Sequence, residues 1–144
     1  MSDQPAPPPP PSEGAPALIG PSAPISTYTT DEIVTLDPAA TVRAAAALID
    51  AASIGCIVIG SAEAVEGVVS ERDIVRFVAS GGDPDTVTVG ELETKHLMWT
   101  APDSTVGVVA EEMMANYVRH VLVGDGKHVA GIVSMRDVIT AYLS

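Results

Sequence analysis

The apolar positions of the chain form short continuous runs that alternate with helix-like spacings. In the first half, the runs at 33–36, 56–59 and 65–69 are rich in β-branched residues, which is typical of well-buried strands. Apolar residues at three- and four-residue spacing predict one helix over about 42–52 and another that begins at residue 71. The predicted order of elements is therefore β-α-β-β-α.

The second half repeats the first at an offset of 64 residues. Residues 38–75 align with 102–139 without a gap, and twelve of the 38 pairs are identical. The most informative match is Gly-x-Val-Ser-x-Arg-Asp, which stands at 67–73 and again at 131–137. A recurrence of this length at one offset indicates a duplicated unit.

Each copy is too small, at roughly 45–50 residues, to bury a dependable core alone. We therefore predict an α/β (α+β) fold in which tandem β-α-β-β-α repeats pack with pseudo-twofold symmetry and leave a cleft between them. The first repeat is placed at 31–82, a linker at 83–96 and the second repeat at 97–144.

The N-terminal stretch has a different composition from the rest of the chain. Nine of the twelve prolines lie between Pro5 and Pro24. A segment rich in Pro, Ser, Ala and Gly has few large apolar side chains to bury, so it favours an extended conformation. Residues 1–30 are predicted to form a Pro-rich disordered tail that packs on nothing in particular.

The charge balance narrows the classes of partner. Seven Lys and Arg against 19 Asp and Glu give a formal net charge of −12, which repels phosphate backbones, so we expect no nucleic-acid partner. A single cysteine, Cys56, leaves no intramolecular disulfide, and we interpret it as a core residue. Without a membrane-length apolar run or a signal sequence, we expect a cytoplasmic protein with no membrane contact and no metal site.

The two junction motifs each leave a strand and open a helix, and two interpretations fit them. Ser at the helix N-cap with an acid three residues later is a variant of the capping box. The same junction offers N–H groups and a positive dipole end to a phosphate, while Arg can contact phosphate oxygens and Asp can accept ribose hydroxyls. The interpretations are compatible, because one hydroxyl can cap and also touch a ligand. The candidate ligand-binding residues are Ser70, Arg72, Asp73, Ser134, Arg136 and Asp137.

The order of elements, the duplication and both Gly-h-h-Ser-x-x-Asp segments, where h is hydrophobic, make residues 31–144 resemble paired cystathionine-β-synthase (CBS) domains, also called a Bateman module. The resemblance implies that an adenine nucleotide such as AMP, ADP or ATP, or a related adenosyl compound, binds between the repeats. It would be a regulatory ligand, with no cofactor required. The motif acids Asp73 and Asp137 would hold the ribose, and Ser70 and Ser134 would lie near the phosphates.

Arg119 and His120 also look like the Arg-His segment of that family, in which the cations face phosphate. The first copy has Gly55 and Cys56 at the equivalent positions, so we expect two unequal clefts. We expect the motif acid of the second copy to contribute more to binding than that of the first. Four of the seven cations lie in or beside these segments: Arg72, Arg76, Arg119 and Arg136.

The first functional hypothesis is a regulatory ligand-binding module that signals through a homodimer to a separate effector protein, not yet identified. The alternative is a structural or protein-interaction CBS pair whose cleft no longer binds a ligand. An enzyme is the least favoured hypothesis, because the sequence shows no nucleophile with a partner, no metal-ligand set and no Gly-rich phosphate loop.

Overall fold

The computed structural model describes residues 19–30 and 32–144. A short 3-10 turn at Ile25–Thr27 comes first, and the remaining elements follow as two copies of one order. The first copy consists of β1 (Thr35–Leu36), α1 (Val42–Ala52), β2 (Cys56–Gly60), β3 (Val65–Ser70) and α2 (Glu71–Ser80). The short helix α3 (Val89–Leu92) precedes the second copy, which consists of β4 (Trp99–Thr100), α4 (Val106–Asn116), β5 (His120–Gly124), β6 (Val129–Ser134) and α5 (Met135–Tyr142).

Each copy forms a three-stranded sheet with the same pairing. In the first sheet β1 runs parallel to β2, and β2 pairs antiparallel with β3, with Ile57 opposite Val69. The second sheet repeats this arrangement, with Val121 opposite Val133. The predicted β-α-β-β-α order and the mixed α/β fold class are confirmed.

The helix ends follow from local chemistry that the sequence already indicates. Thr41 caps α1, because its side chain accepts a hydrogen bond from the N–H of Ala44 at 3.1 Å, and Thr105 caps α4 in the same way. The helices α1 and α4 both end at a residue in the left-handed region, Ser53 with φ 53° and Tyr117 with φ 55°. Among the described residues, no helix is long and apolar enough to cross a membrane.

A hydrophobic cluster between the two sheets joins the repeats. It contains Val58 of the first sheet and three buried residues from the second repeat. Two further clusters lie under the helices, one for each repeat. The repeats therefore pack face to face, as predicted. The three residues from the second repeat are Leu122, Val129 and Ile132.

The segment before each repeat packs on the other repeat. Ile25 is fully buried in the core of the second repeat, and its N–H donates to the carbonyl of Ser104 at 2.6 Å. At the same offset, Val89 is fully buried in the core of the first repeat, and its N–H donates to Ala40 at 2.8 Å. We call these two crossing segments, residues 21–30 and 84–94, the straps.

The first strap corrects one expectation about the tail. The prediction that this part of the chain packs on nothing is wrong for residues 19–30, because Ile25 is buried and Thr30 pairs with Ile132 in an antiparallel bridge. The proline-dominated composition gave no sign of the two core residues of this segment, Ala23 and Ile25. The rest of the predicted tail, residues 1–18, lies outside the described residues.

Candidate functional site

Two clefts lie between the repeats, one beside each junction motif. The Asp137 cleft has a volume of about 850 Å³, and the Asp73 cleft has a volume of about 740 Å³. Residues 64 positions apart line equivalent places in the two clefts: Ile54 lines the Asp137 cleft and Val118 lines the Asp73 cleft. The two clefts are neighbours with one wall in common. This shared wall is formed by Gly55, Cys56, Glu71, Arg119, His120 and Met135.

Both junction motifs form capping boxes. Oδ2 of Asp73 accepts hydrogen bonds from the N–H of Ser70 at 2.8 Å and from its hydroxyl at 2.9 Å, while the N–H of Asp73 donates back to that hydroxyl at 3.2 Å. Ser134 and Asp137 repeat the arrangement with distances of 2.7, 2.9 and 3.2 Å. The capping interpretation is confirmed for both motifs.

The capping bonds determine which atoms remain for a ligand. The hydroxyl proton of Ser70 is already donated to Asp73, so the serine positions the carboxylate. The N–H of Glu71 donates to Gly55 at 2.9 Å and that of Asp73 to Ser70, so helix α2 offers few N–H groups to a phosphate. Within the described chain, Oδ1 of Asp73 has no hydrogen-bond donor. This oxygen, which two bonds to Oδ2 hold in place, can accept a ribose hydroxyl.

Among the residues that the structure describes, the four arginines beside the motifs are not paired with acids. Across residues 19–30 and 32–144, Arg43 pairs with Asp85 and Lys95 lies 3.9 Å from Glu93, and no other Lys or Arg has a carboxylate oxygen within 4.0 Å. The unpaired arginines lining the clefts are Arg72, Arg76, Arg119 and Arg136. In a chain with a net charge of −12, this leaves positive charge available at the clefts for an anion.

The two clefts differ in charge. The Asp73 cleft contains Arg72, Arg76 and Arg119, and Glu71 is its one acid besides the motif residue. The Asp137 cleft contains two arginines and three acids besides its motif residue. A phosphate therefore meets net positive charge in the Asp73 cleft and net negative charge in the Asp137 cleft. The three acids are Glu32, Asp50 and Glu71.

The clefts also differ in apolar surface. Met114 and Tyr117 line the Asp73 cleft, and the equivalent positions in the Asp137 cleft are the polar residues Asp50 and Ser53. The apolar residues that the second repeat contributes to the Asp73 cleft include Leu97, Met98, Met113, Met114, Tyr117 and Val118. Tyr117 is 95% exposed, so its ring is available to an aromatic ligand. Tyr117 and Met114 were not expected from the sequence as site residues, although the aligned pairs 50/114 and 53/117 show the polar-to-apolar change.

His120 begins β5 and contributes to the shared wall. Burial lowers the pKa of His120, although the carboxylates of Asp137, Glu71 and Asp73 oppose this change. The imidazole is therefore neutral near pH 7, and the positive charge expected of it from the sequence is absent in the ligand-free protein. Arg119 provides the charge of this pair.

Cys56 is buried at the start of β2, which confirms its interpretation as a core residue. Burial, followed by the negative charge of Asp73, raises the pKa of the thiol to about 12. The thiol stays protonated at neutral pH, so it is not an activated nucleophile. In the described part of the chain, no cluster of three or more His, Cys, Asp or Glu residues is placed to hold a metal ion.

All eight residues predicted to contact a ligand line one cleft or the other. Ser70, Arg72 and Asp73 lie in the Asp73 cleft, and Ser134, Arg136 and Asp137 lie in the Asp137 cleft. Arg119 and His120 line both clefts, so they are available to a ligand beside either motif acid and not only beside Asp137 of their own repeat. Their contacts with a ligand stay predictions.

Comparison with known protein families gives one match. A model described as CBS domain matches residues 25–80 and 89–144, two stretches that begin 64 residues apart. CBSX3, a mitochondrial CBS domain-containing protein of Arabidopsis thaliana, is 30% identical over 95 residues. That alignment covers 62% of this chain and 46% of CBSX3, so the chain spans about half of that relative.

Similar solved structures match most of the chain. A CBS domain protein from Pyrobaculum aerophilum, solved in complex with AMP, has a TM-score of 0.72 at 26% identity and covers 83% of this chain and 98% of that one. The hexameric CBS-CP12 protein from bloom-forming cyanobacteria has a TM-score of 0.74 at 28% identity and covers 83% and 70%. With two matched domains that span most of its length, the chain belongs to the CBS-domain family as a tandem pair.

Proposed function

We propose that this CBS pair is a regulatory module that binds AMP or a related adenine nucleotide in the Asp73 cleft. The observation that carries the proposal is the combination, in one cleft, of unpaired arginines, a motif carboxylate with a free oxygen, and an apolar side with an exposed aromatic ring. These three features match the phosphate, ribose and base of a nucleotide.

Each part of the ligand has a partner of fitting chemistry. The adenine ring packs among Leu97, Met98 and Tyr117, where stacking on the exposed ring adds to apolar burial. The ribose hydroxyls donate to the free Oδ1 of Asp73. The phosphate lies against the guanidinium group of Arg119 and that of an arginine from α2.

The charges favour the Asp73 cleft over its neighbour, which reverses the ranking expected from the sequence. That ranking assigned Arg119 and His120 to the motif acid of their own repeat. Both residues line both clefts, and the Asp137 cleft has an excess of acids. The AMP complex of the Pyrobaculum aerophilum relative supports nucleotide binding in this fold.

We further propose that the module signals as a homodimer through helices α2 and α5. Val75 and Val78 on α2 are 66% and 71% exposed, and their offset equivalents on α5, Ile139 and Tyr142, are 53% and 52% exposed. Two equivalent exposed apolar patches fit a self-complementary contact between copies. The proposed output is a change in this contact that a separate effector protein recognises. Because the CBS-CP12 relative is a hexamer, the number of subunits in the assembly of this protein has to be measured.

A specific observation supports the alternative function, a structural or interaction module without a nucleotide. The Asp137 cleft is acidic, so one of the two clefts is unsuited to phosphate. If the Asp73 cleft is also empty in solution, the pair acts as a scaffold. Catalysis is not part of either proposal.

Isothermal titration calorimetry with AMP separates the two functions. Asp73→Ala should weaken binding by about tenfold to a hundredfold, because it removes the ribose acceptor. Asp137→Ala is the matched control: it breaks an equivalent capping box, so it has the same structural cost but should change affinity less than twofold. Absence of AMP binding to the unmodified protein would reject the nucleotide proposal, and equal losses in both variants would reject the choice of cleft.

A further inference from the structure

Glu71 stands on the wall that the two clefts share. It is the first residue of α2 and lines both clefts. The 64-residue offset places the uncharged Met135 at the equivalent position in the second repeat, so the shared wall has one carboxylate on one side only. This asymmetry is independent of the motif residues.

Gly55 brings the Glu71 side chain close to the centre of the wall. A Cβ at position 55 would lie 3.1 Å from Oε1 of Glu71 and 3.1 Å from Nε2 of His120, so both side chains use space that only glycine leaves open here. The N–H of Glu71 also donates to the carbonyl of Gly55 at 2.9 Å, which fixes the base of the side chain. The carboxylate and the imidazole therefore both lie beside Gly55, on the wall that the two clefts share.

The carboxylate of Glu71 has no counter-ion among the described residues. No Lys, Arg or His nitrogen of the described residues lies within 4.0 Å of its carboxylate. The neighbouring His120 is neutral near pH 7 because burial lowers its pKa. An anion that reaches the shared wall from the Asp73 cleft therefore meets a negative charge that no cation of the described residues contacts within 4.0 Å.

We propose that Glu71 restricts the ligand of the Asp73 cleft to a nucleoside monophosphate and disfavours the diphosphate and the triphosphate. The inference rests on the proposed function. With the ribose on Asp73 and the first phosphate on Arg119, the ligand lies against the shared wall, which also carries Glu71. Each added phosphate brings negative charge toward an uncompensated carboxylate, whereas the first phosphate is held by the arginines.

The test compares AMP and ATP by calorimetry, without divalent cations, on the unmodified protein and Glu71→Gln. Glu71→Gln should raise the ratio of ATP to AMP affinity by about fivefold, because ATP brings more negative charge than AMP toward the carboxylate that is removed. Glu71→Met, which copies the residue of the second repeat, should do the same. Glu111→Gln on the exposed face of α4 is the charge-matched control and should change neither affinity. The gain for ATP should shrink in high salt.

The outcomes separate this inference from the function on which it rests. If AMP does not bind the unmodified protein, the proposed function fails. If AMP binds but ATP binds equally well or better, or if Glu71→Gln leaves the ratio of ATP to AMP affinity unchanged, the role of Glu71 is wrong and the proposed function stands. A fivefold gain for Glu111→Gln would also overturn it, because the effect would then come from net charge.

Discussion

The burial of Ile25 allows a quantitative prediction about stability. This residue precedes the first repeat in the chain, yet its side chain is fully buried in the core of the second. Ile25→Ala removes about three methylene-sized groups at about 0.8 kcal/mol each, and the cavity that remains adds to the cost. We expect the free energy of unfolding to fall by about 3 kcal/mol.

Urea denaturation followed by tryptophan fluorescence measures this change. Trp99 is the only tryptophan of the chain, and it packs against the cluster that joins the two sheets, so its emission reports on the assembled pair. Ile19→Ala is the matched control, because Ile19 is 68% exposed and its replacement should change stability by less than about 0.5 kcal/mol. If Ile25→Ala has an equally small effect, the strap does not stabilise the fold and our account of the N-terminal packing is wrong.

Two further predictions concern a buried carboxyl group and the proposed dimer. Burial and the negative charge of Glu66 raise the pKa of Glu93, whereas Lys95 opposes this rise. The protonated Glu93 therefore contributes its full stability below the unfolded pKa, and this contribution is lost as the pH rises through the folded pKa. Glu93→Gln should therefore stabilise the protein by about 1 kcal/mol at pH 8 and not at pH 4 in urea denaturation, and a gain that does not vary with pH would contradict this. Val78→Glu should convert the dimer to monomers in sedimentation experiments, whereas Ala64→Glu on the exposed β2–β3 turn should not; a Val78→Glu protein that stays dimeric would exclude the α2 and α5 interface.

Much of the fold could be predicted because its determinants are local. The capping residues, the β-branched runs and the repeated junction motif specify their elements within a few positions of themselves. Thr41 and Thr105 begin their helices as expected, and both capping boxes form. The offset of 64 residues then transfers each of these assignments from one copy to the other.

The remaining features depend on how the two copies face each other, which no local pattern encodes. The sequence did not show that Ile25 belongs to the core of the distant repeat. It also did not show that Arg119 and His120 line both clefts, or that Tyr117 stands exposed beside one of them. The burial of Ile25 and the shared position of Arg119 and His120 arise from contacts between residues that are far apart in the chain, so the composition of a segment or the motif of one copy cannot reveal them.

The crossed straps have a consequence for how such a protein can be built. A chain with one repeat alone would leave an empty position in its core where Ile25 or Val89 is buried here. Two such chains could fill both positions only by exchanging their N-terminal segments, which is domain swapping. Joining the two units in one polypeptide makes that exchange intramolecular and independent of protein concentration. Separated halves of this chain should therefore recover a complete interior only when they are mixed.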